Sequence, residues 1–177
     1  MTNDFLPEGT KIPDSREGYM KFAEGDNRFR VLSSAITGIE FWVEVDGGKK
    51  PFRIKEGGVA PDSFVDEPKY FWAFVVWNYA SEKVQILEVT QKGVMKSIKA
   101  LVGDEDWGDP KQYDIVVTRV GQMKESKYNV VPKPAKKLDP GITQLYEDME
   151  INLNALYEGK DPFKKEDLAE TVAKNFK

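Results

Sequence analysis

The sequence of 177 residues contains neither cysteine nor histidine. The lack of cysteine excludes disulfides, thiol nucleophiles and thiolate metal sites. The lack of histidine removes the commonest general base and the commonest metal ligand. Two phosphate-binding signatures are missing as well, namely the Gly-rich loop that ends in Lys and Ser or Thr and the dinucleotide fingerprint. We therefore expect a protein that is not an enzyme and that carries neither a cofactor nor a metal.

Long apolar runs are also missing, so no segment is predicted to cross a membrane. The first residues, MTNDFLPEGTKIP, lack the basic and then apolar pattern of a signal peptide. Hydrophobic residues make up 40% and charged residues 32%, which is typical of a folded globular protein. The net charge is −4, but the middle of the chain is slightly basic and both ends are acidic. We expect a cytoplasmic protein with one domain and a tail.

Alternation of polar and apolar residues predicts a series of short strands in the middle of the chain. The predicted strands cover residues 28–33, 36–45, 51–55, 70–79, 83–90, 113–120 and 127–133. The strand 70–79, YFWAFVVWNY, is apolar or aromatic on both faces, which is typical of a central strand covered on both sides. Pro132 cannot donate a backbone hydrogen bond, so the last strand is predicted at an edge.

Helical spacing appears twice. Val94, Met95, Ile98, Leu101 and Val102 predict one amphipathic helix that ends at Gly103, with Thr90 as its N-cap.

Asp139 followed by Pro140 predicts the start of a second helix, which continues to Gly159. Asp161 and Pro162 predict the start of a third. We therefore divide the chain into an N-terminal arm (1–18), a β domain (19–138) and an acidic helical tail (139–177).

This order of elements, mainly β with α, favours an OB-fold-like Greek-key barrel, which binds oligonucleotides or oligosaccharides on one open sheet face. Because many functions use such a barrel, the residues must decide between them. Proteins hold single-stranded nucleic acid with aromatic rings against the bases and cations along the phosphates. The predicted strands supply both kinds of side chain.

One face of strand 70–79 carries Tyr70, Trp72 and Phe74, and the other carries Trp77 and Tyr79. Either face is a candidate for base stacking, and the pattern leaves the choice open. The further candidate residues are Trp42 for stacking and Arg28, Arg30, Arg53, Lys55, Arg119 and Lys127 for phosphates. The competing interpretation is that the aromatic residues form the core and that the cations are solvated outward positions.

The run KYFWAFVVWNYASEKVQILEVTQKGVMKSIKAL resembles the helix-destabilising single-stranded-DNA-binding proteins of tailed bacteriophages. The flanking runs KFAEGDNRFRVL, DEDWGDPKQYDIVVTR and KYNVVPKPAKKL are similar to the same family, so the resemblance spans about residues 19–138. It implies sequence-nonspecific binding of single-stranded DNA in phage replication, recombination and repair, in the cytoplasm of the infected bacterium. The chain departs from the best-known members because it lacks their Cys and His zinc cluster and a strongly basic N-terminal segment.

Members of that family also tend to carry an acidic C-terminal region that recruits replication proteins or competes with DNA. The stretch YEDMEINLNALYEGKDPF matches this only in part, because it is both acidic and amphipathic. It predicts a helix that packs on its own domain, binds a partner protein or joins protomers of a homo-oligomer.

Three other interpretations were weighed. A barrel whose aromatic residues are all core would serve as a protein–protein adaptor or a structural phage protein. Asp62 and Glu67 faintly resemble a metal-dependent nuclease arrangement. The loop GDEDWGDP gathers four carboxylates, but their spacing fits no known ion-binding loop, and a solvated turn is the preferred interpretation.

Overall fold

The computed structural model describes residues 17–59 and 67–163. The predicted N-terminal arm, apart from its last two residues, lies outside the described residues. So do Asp62 and nearly all of the predicted third helix. Within the described residues the protein is mainly β, with two α-helices, as the sequence predicts.

The strands are β1 (Tyr19–Met20), β2 (Gly25–Val31), β3 (Ile36–Val45), β4 (Gly48–Ile54), β5 (Lys69–Asn78), β6 (Lys83–Val89), β7 (Asp114–Val120) and β8 (Lys127–Pro132). The α-helices are α1 (Lys92–Val102) and α2 (Pro140–Met149), and short 3-10 helices cover Pro110–Gln112, Met123–Glu125 and Leu153–Glu158. All seven predicted strands are present, and β1 adds a short parallel partner to β6.

The strands form one mixed sheet in the order β1-β6-β5-β2-β7-β8. Both β2 and β3 pair with the same edge of β5, β2 near its C-terminal end and β3 near its N-terminal end. The backbone pairing with β5 is interrupted between them at Ser33. There the Ser33 hydroxyl, and not a backbone carbonyl, accepts the hydrogen bond from the Val75 amide (2.8 Å). After the break β3 pairs with β5 and β4 only. The described strands therefore form an open sheet, and the predicted barrel closure is not observed.

The hairpin between β3 and β4 is fixed by a two-residue turn. Asp46 and Gly47 both have positive φ, 43° and 82°, which is the combination that a type I′ turn requires. Because this turn matches the twist of paired strands, β4 begins at Gly48, three residues before the predicted strand at Pro51.

Strand β5 is buried on both faces, as predicted for a central strand. On one face it packs with α1 in a core that includes Phe29, Phe74, Leu87, Val94, Ile98 and Ile115. On the other face it packs with the C-terminal tail in a second core that includes Phe71, Val75, Ile86, Leu153 and Leu156. Burying both faces lets a sheet of modest size carry two hydrophobic layers.

Helix α1 ends at Gly103 as predicted, but its start differs from the prediction. The N-cap residue is Gln91, and no side chain caps the first turn. Thr90 is therefore not the cap. The helix is held by the packing of Val94, Met95 and Ile98 against the sheet.

The tail is helical at both ends but is not one helix. Helix α2 begins as predicted at Asp139, whose carboxylate accepts a hydrogen bond from the Gly141 amide (2.8 Å). It ends at Met149, because Glu150 takes a left-handed conformation with φ of 48°. The chain then turns into the 3-10 helix Leu153–Glu158, which ends at Gly159. Because the chain changes direction at Glu150, the apolar side chains of the 3-10 helix pack against the sheet.

Candidate nucleic-acid interface

The first candidate surface is a groove between the N-terminal half of β5 and helix α1. Tyr70 and Trp72 lie on the α1 side of the sheet, and Tyr70 is 59% exposed although it is a large ring. Two hollows of about 350 Å³ each adjoin one another here, because Thr37 and Trp72 line both. The surface is thus an extended groove with aromatic rings along it.

Helix α1 supplies the cations of this groove. Lys92, Lys96 and Lys99 are spaced four and three residues apart, so they share one face of the helix. All three side chains are exposed, and among the described residues none of them is within ion-pair distance of a carboxylate. We call the surface formed by these lysines with Tyr70 and Trp72 the lysine groove.

The far end of the lysine groove is closed by the loop before β7. Lys111 lines this end together with Asp109 and Pro110. The Asp109 carboxylate accepts a hydrogen bond from the Lys111 backbone amide (3.0 Å), so this carboxylate is used in holding the loop. Glu56 is the acidic residue at the opposite end. Four lysines against two carboxylates leave the groove positively charged.

The third aromatic residue predicted on this face is placed differently. Phe74 is only 4% exposed and packs against Phe29 in the core under α1. A ring at this depth cannot reach a base, so Phe74 is a core residue. Of the face that carries Tyr70, Trp72 and Phe74, the first two rings are open to the groove, and Phe74 contributes only to the floor of one hollow.

Two of the predicted phosphate-binding arginines are held by a buried carboxylate. Arg30 is 1% exposed, and its Nε donates to Asp114 Oδ1 (2.7 Å). Its two terminal nitrogens donate to the carbonyls of Lys111 (3.3 Å) and Lys136 (2.9 Å). Arg28 donates to Asp114 Oδ2 at 2.8 Å but is 41% exposed. Arg30 is therefore a structural residue, whereas part of the Arg28 side chain remains exposed to solvent.

Arg53 and Arg119 are also engaged within the protein. Arg53 lies between Glu88 (2.6 Å) and Glu40 (3.3 Å) and is mostly buried. Arg119 donates to the Phe22 carbonyl (2.8 Å) and to the Ser126 hydroxyl (3.2 Å). The structure does not bring either arginine to the lysine groove.

The three other predicted residues lie on separate surfaces. Trp42 is half-buried on β3, where it pairs with β4. Lys55 is exposed, with its Nζ 5.6 Å from the centre of the Tyr157 ring. Lys127 is exposed at the start of the edge strand β8. None of them lines the lysine groove.

Asp114 organises a cluster on the other face of the sheet. We call Arg28, Arg30, Tyr79, Asp114 and Lys136 the Asp114 cluster. The Tyr79 hydroxyl donates to Asp114 Oδ1 at 2.9 Å, and the guanidinium carbon of Arg28 lies 5.4 Å from the Tyr79 ring centre. Lys136 Nζ lies 5.8 Å from the same ring centre and 4.0 Å from Asp114 Oδ2. The ring is thus flanked by two cations.

Burial and hydrogen bonding shift two acidic groups of this cluster in opposite directions. Burial of Asp114 opposes its ionisation, but hydrogen bonds from Arg28, Tyr79 and Arg30 outweigh this and hold its pKa below the usual 3.8. Burial, followed by the hydrogen bond to Asp114, raises the pKa of Tyr79 to about 12. At neutral pH Asp114 is therefore charged and Tyr79 is a neutral donor.

A second groove of about 650 Å³ adjoins the Asp114 cluster. It is lined by Trp77 and Tyr79 from the end of β5 and by Lys136 and Lys137 from the segment after β8. Both lysine side chains are exposed. We call this surface the Tyr79 groove. It contains the second aromatic face that the sequence offered for stacking.

The sequence reasoning missed the cations that line the two grooves. Lys92, Lys96 and Lys99 follow the same helical spacing that identified the buried face of α1, so the spacing of the lysines was a usable signal. The contribution of Lys111 and Lys136 depends on how two loops meet around Arg30. No local pattern carries that information.

Membrane-spanning helices and metal-binding clusters are both missing from residues 17–59 and 67–163. No helix there has the length and apolar character needed to span a bilayer. The acidic residues of those ranges form no cluster that could hold a metal ion. In the loop after α1, Asp104 instead accepts a hydrogen bond from the Asp106 amide (2.7 Å), which is an ordinary turn contact.

Comparison of the chain with family models, with characterised proteins and with solved structures finds no match. The geometry of the two grooves is therefore what indicates a function.

Proposed function

We propose that the protein binds single-stranded DNA in the lysine groove without acting as an enzyme. The observation that carries this proposal is the position of Tyr70 and Trp72 beside three exposed lysines on one face of α1. A single strand has flat bases on one side and phosphates on the other, and the groove presents rings and ammonium groups in the same way. The open β sheet behind it is compatible with an open relative of the OB fold.

Each kind of side chain has a distinct role. The rings of Tyr70 and Trp72 stack on bases, which contributes roughly 1–3 kcal/mol per base and tolerates any sequence. Lys92, Lys96 and Lys99 attract phosphates and release counterions from them. Stacking and phosphate contacts depend little on the identity of the base, so binding is largely sequence-nonspecific. The sequence runs that resemble phage helix-destabilising proteins support a role for this binding in DNA replication, recombination and repair.

The test is a titration of the full chain with oligo-dT while tryptophan emission is followed. Stacking on Trp72 quenches its emission, and replacing Tyr70 by Ala weakens binding by about 10-fold, since one stacked base is lost. Tyr70→Phe is the matched control, because it keeps the ring and removes only the hydroxyl, and it should bind like the wild type. Tyr70 is exposed, so neither change should affect folding.

Unchanged emission and no measurable affinity at low salt would instead support the adaptor interpretation, in which the grooves contact another protein. Cleavage of the oligonucleotide that requires magnesium and is lost in Glu67→Ala would support a nuclease.

A further inference from the structure

The lysine groove and the Tyr79 groove are joined by one buried side chain. Arg30 donates from one terminal nitrogen to the carbonyl of Lys111 and from the other to the carbonyl of Lys136. Lys111 lines the end of the lysine groove, and Lys136 lines the Tyr79 groove. One residue that lines each groove is thus bound to the same guanidinium group.

We propose that one DNA strand runs continuously from the lysine groove to the Tyr79 groove and stacks bases at both. This rests on the proposed function and extends it, because it predicts a binding site with two aromatic parts on opposite faces of the sheet. The strand crosses from one face to the other where β2 ends at Val31 and β7 begins at Asp114.

Exposed lysines lie on this path on both sides of the crossing. After Lys92, Lys96 and Lys99 on α1, the next exposed cation is Lys111 at the crossing. Beyond the crossing, Lys136 and Lys137 line the second groove.

Arg28 lies beside Tyr79 on the same face, with its guanidinium partly open to solvent. Phosphates on a strand that follows this path would meet a positive side chain at each step.

The crossing is rigid, which suits a fixed path. The backbone amide of Lys136 donates to the Gln112 carbonyl (3.2 Å), and that of Lys133 donates to the Asp114 carbonyl (2.8 Å). Together with Arg30 these bonds hold the segment after β8 against the loop before β7. Both grooves therefore keep their relative positions before DNA binds, so binding does not have to order them.

The second groove has the same chemistry as the first. Trp77 and Tyr79 are both half-buried and line the groove together with Lys136 and Lys137, and the Tyr79 ring lies next to Arg28 and Lys136. Glu82 and Asp139 also line this groove and balance Lys136 and Lys137. With the Asp114 cluster included, the four cations Arg28, Arg30, Lys136 and Lys137 lie near three carboxylates. A second stacking site is thus supported independently of the first.

The experiment compares two proteins that each retain one reporter tryptophan, Trp72 or Trp77, with the other three tryptophans replaced by Phe. Each is titrated with oligo-dT of roughly 4 and roughly 16 nucleotides, which spans the site sizes found for such folds. We expect the longer strand to quench both reporters at a ratio of one strand per protein. We also expect it to bind at least 10-fold more tightly than the shorter strand.

The double variant Lys136→Gln/Lys137→Gln provides a second measurement on the full chain with all its tryptophans. For the longer strand its log–log salt dependence should be less steep by about 1.4, since each lost phosphate contact removes about 0.7. When the same two substitutions are made in the protein that retains only Trp72, quenching of that reporter should persist.

Three results would count against the continuous path. If the longer strand quenches Trp72 but not Trp77, the path is wrong while the proposed function stands. If Trp77 is quenched only at two strands per protein, the grooves bind separate strands and the path is again wrong. If neither reporter responds to either strand, the proposed function itself fails.

Discussion

At the scale of single residues, Asp114 is the buried carboxylate of the described ranges, and it accepts hydrogen bonds from Arg28, Arg30 and Tyr79. It is 1% exposed, and its partner Arg30 is 1% exposed as well. Replacing Asp114 by Asn leaves the buried guanidinium without a counter-charge, which should lower the free energy of unfolding by about 3–5 kcal/mol. Urea denaturation measures this loss.

The matched control for that change is Asp26→Asn. Asp26 is exposed and accepts one hydrogen bond from the Thr118 hydroxyl (2.6 Å), so its loss should be about 1 kcal/mol or less. Equal effects of the two substitutions would show that the Asp114 cluster does not hold the fold together.

The raised pKa of Tyr79 predicts that the stability of the protein depends on pH above pH 10. Its pKa in the folded protein, about 12, lies above the unfolded value of 10.0, so folding favours the protonated phenol. This contribution to stability is complete below pH 10 and is lost as the pH rises towards 12. Below pH 10, Tyr79→Phe should be less stable than the wild type by a constant amount, and that difference should shrink at higher pH. A difference that stays constant throughout would contradict the raised pKa.

The sequence identifies aromatic and basic side chains that are suited to bind nucleic acid. It does not show which of them are exposed and which are paired or buried within the protein. Arg28 and Arg30 alternate on β2 as expected, yet both face Asp114, which lies on a strand more than 80 residues away in sequence. Strand periodicity specifies a face, but it does not specify what lies opposite. The same limit explains why Phe74 and Tyr70, four residues apart on one face, differ so strongly in exposure.

At the scale of elements, the tail is part of the fold. Leu156 in the 3-10 helix is 4% exposed and packs in the core formed with Phe71 and Val75. Leu156→Ala should therefore lower the free energy of unfolding by about 2–5 kcal/mol, through lost burial and the cavity left behind. Leu145→Ala is the control from the same tail, because Leu145 is 44% exposed and should lose less than about 1 kcal/mol. Similar small losses at both positions would mean that the tail detaches readily.

The elements themselves were largely predictable, because strands and helices depend on local patterns. The alternation in residues 36–45 and the Asp-Pro start at Asp139 both correspond to observed element boundaries. The break of the tail at Glu150 and the start of α1 without a side-chain cap were not predictable. In both places packing against the sheet decides the backbone conformation and overrides the local signal.

At the scale of the whole molecule, the net charge is −4, although the lysine groove is locally basic. Counterion release depends on the phosphates that are contacted and is insensitive to total charge. Lys92, Lys96, Lys99 and Lys111 would contact four phosphates, so the affinity for a short oligo-dT should fall with salt at a log–log slope of about −3. Lys96→Gln should reduce that slope by about 0.7, whereas Lys160→Gln, in the tail, should leave it unchanged. A slope near zero in the wild type would show that the acidic molecule binds by some means other than phosphate contacts.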